Sequence, residues 1–166
     1  MHAPAQIEPR ALADYLGAMT RAVFEPGLNW SVVEAKWLGI TSAFAGFDPL
    51  IVAGYTPVDV ERLMSDPAII RNRKKIEATV HNAGEMLNVD REHHGFKRYL
   101  GSFGSYEATA ADLRKRFKFL GETGAYHFLY VVREPVPDHE KWMATHAGRA
   151  PKGRLPRPPS RTPPSI

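Results

Sequence analysis

The chain has 166 residues, enough for one domain with a real apolar core. It contains no cysteine, which rules out disulfides and thiolate metal sites and fits a reducing cytoplasm. No apolar run reaches the roughly 18 residues of a membrane span, and no basic-then-apolar leader opens the sequence. The net charge of +4 is unevenly placed: residues 149–166 carry Arg149, Lys152, Arg154, Arg157 and Arg161 with no acid, which leaves the remainder near −1. The basic balance is therefore a property of the tail, and any nucleic-acid footprint on the body has to be local.

Taken in order, residues 1–7 read as a loose end. Glu8 to Phe24 reads as a helix, with Pro9 in its first turn and Leu12, Leu16, Met19 and Val23 on one face. Glu25-Pro26-Gly27-Leu28-Asn29 breaks it, and Asn29 can cap a second helix, Trp30 to Phe44. Gly46-Phe47-Asp48-Pro49 is a turn with a short helix behind it. Thr56-Pro57-Val58-Asp59 combines a cap, a first-position proline and a first-turn acid, and it starts a helix ending near Met64. A longer helix runs from about Arg71 to Leu87 on Ile76, Val80, Ala83 and Leu87. Arg71, Arg73, Lys74 and Lys75 at its start could pair with phosphates, but such a run reads first as a solvated face. Residues 88–94 look polar and loop-like, and Phe96 to Phe103 reads as a short helix.

The rest of the chain is organised around Phe117 to His139. A charged helical segment, Ala110 to Lys118, leads into glycines 121 and 124 around Thr123; an apolar helix follows, Ala125 to Val132. Pro135 and Pro137 then frame a loop that delivers Asp138 and His139, and Lys141 to His146 completes a last helix. Gly121 and Gly124 permit positive φ and close backbone approach. Amides at the start of the second helix lack intrahelical partners and carry the positive end of its dipole. Main-chain donors of Gly121, Glu122, Thr123 and Gly124 can thus hold a phosphate oxygen, with Lys115, Arg116 and Lys118 adding charge. An ordinary helix–helix connection remains the alternative. From Pro151 onward six prolines in sixteen residues alternate with arginines, so the tail is expected to be disordered. The fold expected is all-α: a helix-hairpin-helix domain over residues 1–148 and a basic tail over 149–166.

Helix, hairpin, helix and a following carboxylate resemble the helix-hairpin-helix DNA glycosylases. Within them, residues 20 to 140 resemble the 3-methyladenine DNA glycosylase I family. Gly27-Leu28-Asn29-Trp30 resembles its Gly-Leu-Ser-Trp. The resemblance continues through Phe47-Asp48-Pro49, Asp59-Val60-Glu61-Arg62-Leu63 and Ile69-Ile70-Arg71-Asn72-Arg73-Lys74-Lys75-Ile76, then Asn82-Ala83, Phe117-Lys118-Phe119-Leu120-Gly121 and Tyr126. It implies hydrolysis of the N-glycosidic bond of a flipped alkylated base such as 3-methyladenine, in base-excision repair of double-stranded DNA. Leu28, beside Gly27, matches the residue that fills the gap in the stack, or is a loop leucine on the core. Trp30 matches the tryptophan on which a cationic base stacks, or is a core tryptophan. Tyr126 either lines the pocket or belongs to the core.

Four departures follow. The family's structural zinc uses cysteines and histidines; here only His139 matches a ligand position, so no zinc and no cofactor are expected. The family's N-terminal pocket segment has no counterpart in residues 1–19. Ala22 stands where the family has its base-reading glutamate; Glu25, one turn on, either reaches the same pocket or is a surface acid. Asp138 restores the superfamily's aspartate, which stabilises oxocarbenium-like charge, while also suiting the cap of the helix behind it. No lysine opens the second hairpin helix, which reads Gly124-Ala125-Tyr126-His127, so a Schiff base and strand cleavage are not expected. The expectation is a monomeric, monofunctional glycosylase. Its rivals are a DNA-binding protein that has lost the pocket, and a helical interaction domain using the proline-rich tail as a ligand segment.

Overall fold

The computed structural model describes residues 3–26 and 30–146, with the main chain alone for Trp30. The sites assigned to Gly27, Leu28 and the Trp30 side chain, and the tail 149–166, lie outside the described residues.

Nine α-helices stand among them: α1 (Leu12–Phe24), α2 (Trp30–Ala43), α3 (Pro49–Val52), α4 (Pro57–Met64), α5 (Arg73–His93), α6 (Phe96–Leu100), α7 (Tyr106–Arg116), α8 (Glu122–Val131) and α9 (His139–His146). The all-α expectation holds. The long α5 is the axis: α1, α3, α4 and α6 pack on it, and α8 packs on α1 and α7. Ile76, Ala83, Met86 and Val89 of α5 meet Leu16, Met19 and Val23 of α1 and Phe128 and Leu129 of α8 in one core.

Local chemistry sets the boundaries. Thr56 starts α4 as expected: its main-chain N–H donates to Asp59 at 2.9 Å and Pro57 takes the first position. α1 starts at Leu12 and not at Glu8, because Asp14 turns back to accept the N–H groups of Arg10 (2.8 Å) and Ala11 (3.1 Å). The segment before it is tied down rather than loose. Ile7 donates to the Val131 carbonyl at 2.9 Å, and Arg133 returns a bond to the Ile7 carbonyl at 3.0 Å. Residues 88–93 are helical, contrary to the loop reading: Val89 is fully buried, and α5 ends only at His94, in the left-handed region at φ 59°. The polar residues between are the exposed face of that helix.

Gly39 carries the close approach of α2 to the turn before α5. A Cβ there would stand 2.7 Å from the Ala68 carbonyl oxygen. Gly39→Ala is expected to destabilise by about 1–3 kcal/mol through overpacking, against a helix-propensity gain of at most about 1 kcal/mol. A thermal melt checks it; an unchanged or raised Tm would show that the contact relaxes freely.

Candidate active site

The hairpin is held from α5. The Asn82 side chain accepts the Lys118 N–H at 2.8 Å and donates to the Lys118 carbonyl at 3.1 Å. Asn82 is buried, so both of its amide functions are spent on one residue's main chain. Phe119 follows at φ 61° with half its surface exposed. The left-handed residue of the turn is thus a phenylalanine, and the expectation placed on the glycines is corrected. Gly121 is extended (φ −87°, ψ −166°) and precedes α8. Gly124 lies inside the first turn of α8, buried where a Cβ would meet Leu120 Cδ1 at 3.3 Å and the Ala22 carbonyl at 3.5 Å. Its glycine serves helix packing, and α8 begins at Glu122, earlier than the Ala125 expected.

Of the expected basic residues, Arg116 is engaged by Glu85 (2.7 Å), Glu92 (3.3 Å) and Asp112 (3.3 Å), while Lys115 and Lys118 are exposed beside the turn. Thr123 is exposed in the first turn of α8; the Glu122 carboxylate faces His146 Nε2 at 3.3 Å.

Tyr126, one turn on, is fully buried. Its ring stacks on Trp142 at 4.1 Å, and Trp142 stacks on His146 at 3.8 Å. Tyr126 therefore belongs to the core and not to a pocket wall. Its hydroxyl donates to the Pro137 carbonyl at 2.7 Å and so fixes the loop immediately before Asp138. Asp138 is exposed; its carboxylate accepts the Lys141 N–H at 3.1 Å as the cap of α9. α8 thereby sets the position of Asp138 through a phenol that the sequence does not single out for that purpose.

At the far end of α1, Glu25 is half-buried and bonds to Arg21 at 3.3 Å, while Arg21 also pairs with Glu34 and lies 5.1 Å over the Trp37 ring. Burial raises the Glu25 pKa above the usual carboxylate value, with Arg21 opposing. Ala22, one turn earlier, faces the first turn of α8, with its Cβ 3.9 Å from where a Gly124 Cβ would lie. The C-terminal half of α1 and the first turn of α8 thus meet at two small residues. Lys75 is corrected as well. It is not on a solvated face but buried, and it donates to the carbonyls of Phe24 (3.3 Å) and Pro26 (3.0 Å). Burial pushes its ammonium below the usual lysine value. Arg73 of the same run pairs with Glu61 at 2.7 Å.

No group of three or more His, Cys, Asp or Glu able to hold a metal stands among the described residues. His127 and His139 have nearly parallel rings 6.4 Å apart and buried Nε2 atoms without partners. Two imidazoles do not make the four donors of a structural zinc site. A cavity of about 230 Å³ lined by Tyr55, Thr56, Pro57, Val60, Arg73, Glu77 and Val80 includes no candidate site residue.

The family model described as methyladenine glycosylase matches residues 16–115. DNA-3-methyladenine glycosylase 1 of Escherichia coli K12 is 32% identical over 148 residues, covering 76% of this chain and 79% of that protein. The DNA-3-methyladenine glycosylase of Haemophilus influenzae Rd is 30% identical over 126 residues, covering 63% and 68%. Among solved structures, a variant of 3-methyladenine DNA glycosylase I in complex with 3-methyladenine superposes with a TM-score of 0.68 at 28% identity, covering 77% of this chain and 80% of that one. The Staphylococcus aureus enzyme gives the same TM-score and identity over 77% and 79%. With its helical order, hairpin and sequence all in agreement, the chain belongs to the methyladenine glycosylase family.

Proposed function

We propose that this chain is a monofunctional DNA glycosylase that hydrolyses the N-glycosidic bond of an alkylated purine such as 3-methyladenine in duplex DNA, acting as a cytoplasmic monomer. The observation that supports it most is the convergence on α8. Its first turn packs on Ala22, a turn before Glu25, and its Tyr126 hydroxyl holds the carbonyl before Asp138. A helix start that presents main-chain N–H groups at the positive end of its dipole can grip a phosphate while the same rigid element spaces a base-reading end and a sugar-side carboxylate.

In this reading the α8 amides and Lys118 hold the backbone, Leu28 fills the gap left by the flipped nucleotide, and Trp30 stacks on the base. Glu25 accepts from the base edge, and Asp138 offsets positive charge developing at C1′ as the bond breaks and water adds. An alkylated base leaves as a neutral molecule, so little acid assistance is required. The residues opening α8 include no lysine, so no Schiff base forms and the strand stays intact.

The test is single-turnover release of base from a duplex bearing methylated purines, with strand integrity followed on a denaturing gel, across pH. Glu25 must be ionised to accept. Its folded pKa is raised by burial, so the acid limb should lie above pH 4.5, the ordinary carboxylate value, and should vanish in Glu25→Gln. The stability effect has the opposite sense: the native state holds the proton to higher pH, so Glu25 subtracts stability as pH rises through that window. Tight duplex binding without release of any base would defeat the enzymatic reading. An acid limb that survives Glu25→Gln would remove Glu25 from it.

A further inference from the structure

Lys75 is charged, buried and placed three residues after the cap of α5, where the helix dipole disfavours a cation. It has no acidic partner among the described residues, and both of its hydrogen bonds go to main-chain carbonyls. Taking an ammonium out of water carries a large desolvation cost, offset only in part by the hydrogen bonds it makes. What its two bonds have in common is their position in sequence. Phe24 and Pro26 are the residues on either side of Glu25. The ammonium also lies 5.9 Å over the Phe24 ring, which brings a third contact to the same short stretch.

We propose that Lys75 is a positioning residue for base recognition, gripping the carbonyls that flank Glu25 so that the Glu25 Cα–Cβ bond has one direction. This rests on the reading of Glu25 given above. Three separations in the structure support it. Lys75 acts on the main chain and not on the carboxylate, which is held instead by Arg21. Phe24 is the last residue of α1, so its carbonyl has no onward helical partner and a cation there meets the negative end of the dipole. Pro26 has no N–H to donate, so its carbonyl is the one main-chain polar group through which it can be held. The α1 terminus is thereby locked to α5, the same helix whose Asn82 locks the hairpin seven residues on. One rigid element then sets the spacing between the base-side carboxylate and the DNA-side turn.

The experiment compares wild type, Lys75→Met, Lys75→Arg, Glu25→Gln and the Lys75→Met/Glu25→Gln double variant. The readouts are single-turnover release of 3-methyladenine from a methylated duplex, affinity for the undamaged duplex, and Tm. Lys75→Met is expected to slow release about tenfold, with duplex affinity within about twofold of wild type. Lys75→Arg, which keeps N–H donors for the carbonyls, recovers part of the loss. The double variant is expected to be no slower than Glu25→Gln alone, since the two residues act as one unit. Wild-type release by Lys75→Met, with Glu25→Gln still slow, overturns the role of Lys75 and leaves that of Glu25 intact. Multiplied losses in the double variant overturn it too, because Lys75 would then act elsewhere. Full release by Glu25→Gln ends the Glu25 reading and this inference with it. If Lys75→Met does not fold, Lys75→Leu, which also lacks a donor, takes its place: slow release supports the assignment and wild-type release overturns it.

Discussion

Asp138→Asn is expected to slow base release about a hundredfold, or roughly 2.7 kcal/mol of transition-state stabilisation, while changing stability by less than about 0.5 kcal/mol. The two effects separate because the proposed function gives the carboxylate a second task beside its cap. As the cap of α9 it accepts one N–H, from Lys141 at 3.1 Å. Asparagine presents a carbonyl oxygen at the same place and caps about as well. As a counter-charge to a forming oxocarbenium ion it must be ionised, and asparagine cannot supply that. Asp138→Ala should show both losses, the rate effect plus about 1 kcal/mol of stability. Asp138 is exposed, so part of its field is screened until DNA covers the site. The loss should therefore appear in the rate of the bound complex and not in duplex affinity. A full single-turnover rate in Asp138→Asn would leave the residue as a cap only, with the cationic leaving group carrying the reaction.

Asn82→Ala is expected to cost about 2–3 kcal/mol, because it strips a donor and an acceptor from Lys118 in one step. For a domain of this size that is a fall in Tm of roughly 5–10 °C. Duplex affinity should weaken about tenfold, since the clamped residue adjoins the turn whose amides are proposed to hold the DNA backbone. Asn82→Asp is the sharper probe. It keeps the acceptor for the Lys118 N–H but sets a second oxygen against the Lys118 carbonyl, so it should be no better than alanine despite its shape. If Asn82→Ala melted like wild type, the hairpin would be held by Phe117 and Leu120 packing alone.

The sequence was most informative where structure follows from neighbours. Thr56, Pro57 and Asp59 state a helix start within four residues, and α4 begins there. The apolar period of α1 and α5 gave their buried faces. It failed where the deciding partner lies far along the chain. Lys75 sits in a run of four cations and looks like the others, yet its bonds are to residues 49 and 51 positions away. Nothing near Asn82 in sequence marks it as a clamp, because its partner lies 36 positions on. The turn glycines misled for a different reason. Glycine is the usual left-handed residue, so Gly121 and Gly124 drew the inference, while Phe119 takes that conformation against its own steric preference. In the candidate site, Asp138 and its loop were legible from Pro137-Asp138-His139, but the tether from Tyr126 was not, because a phenol in an apolar run looks like core until its hydroxyl finds a carbonyl.

The seam between Ala22 and Gly124 has a consequence for how the two helices can vary. Ala22 is buried, and a Cβ at 124 would stand 3.3 Å from Leu120 Cδ1 and 3.5 Å from the Ala22 carbonyl. Neither position has slack for a larger side chain, because the gap on one helix is already filled by the other. Changes at 22, 120 and 124 are therefore coupled: a bulkier residue at one is tolerated only where a neighbour shrinks or the helices move apart. Tight approach of α1 to α8 thus restricts which substitutions this pair of helices can accept, and in which order.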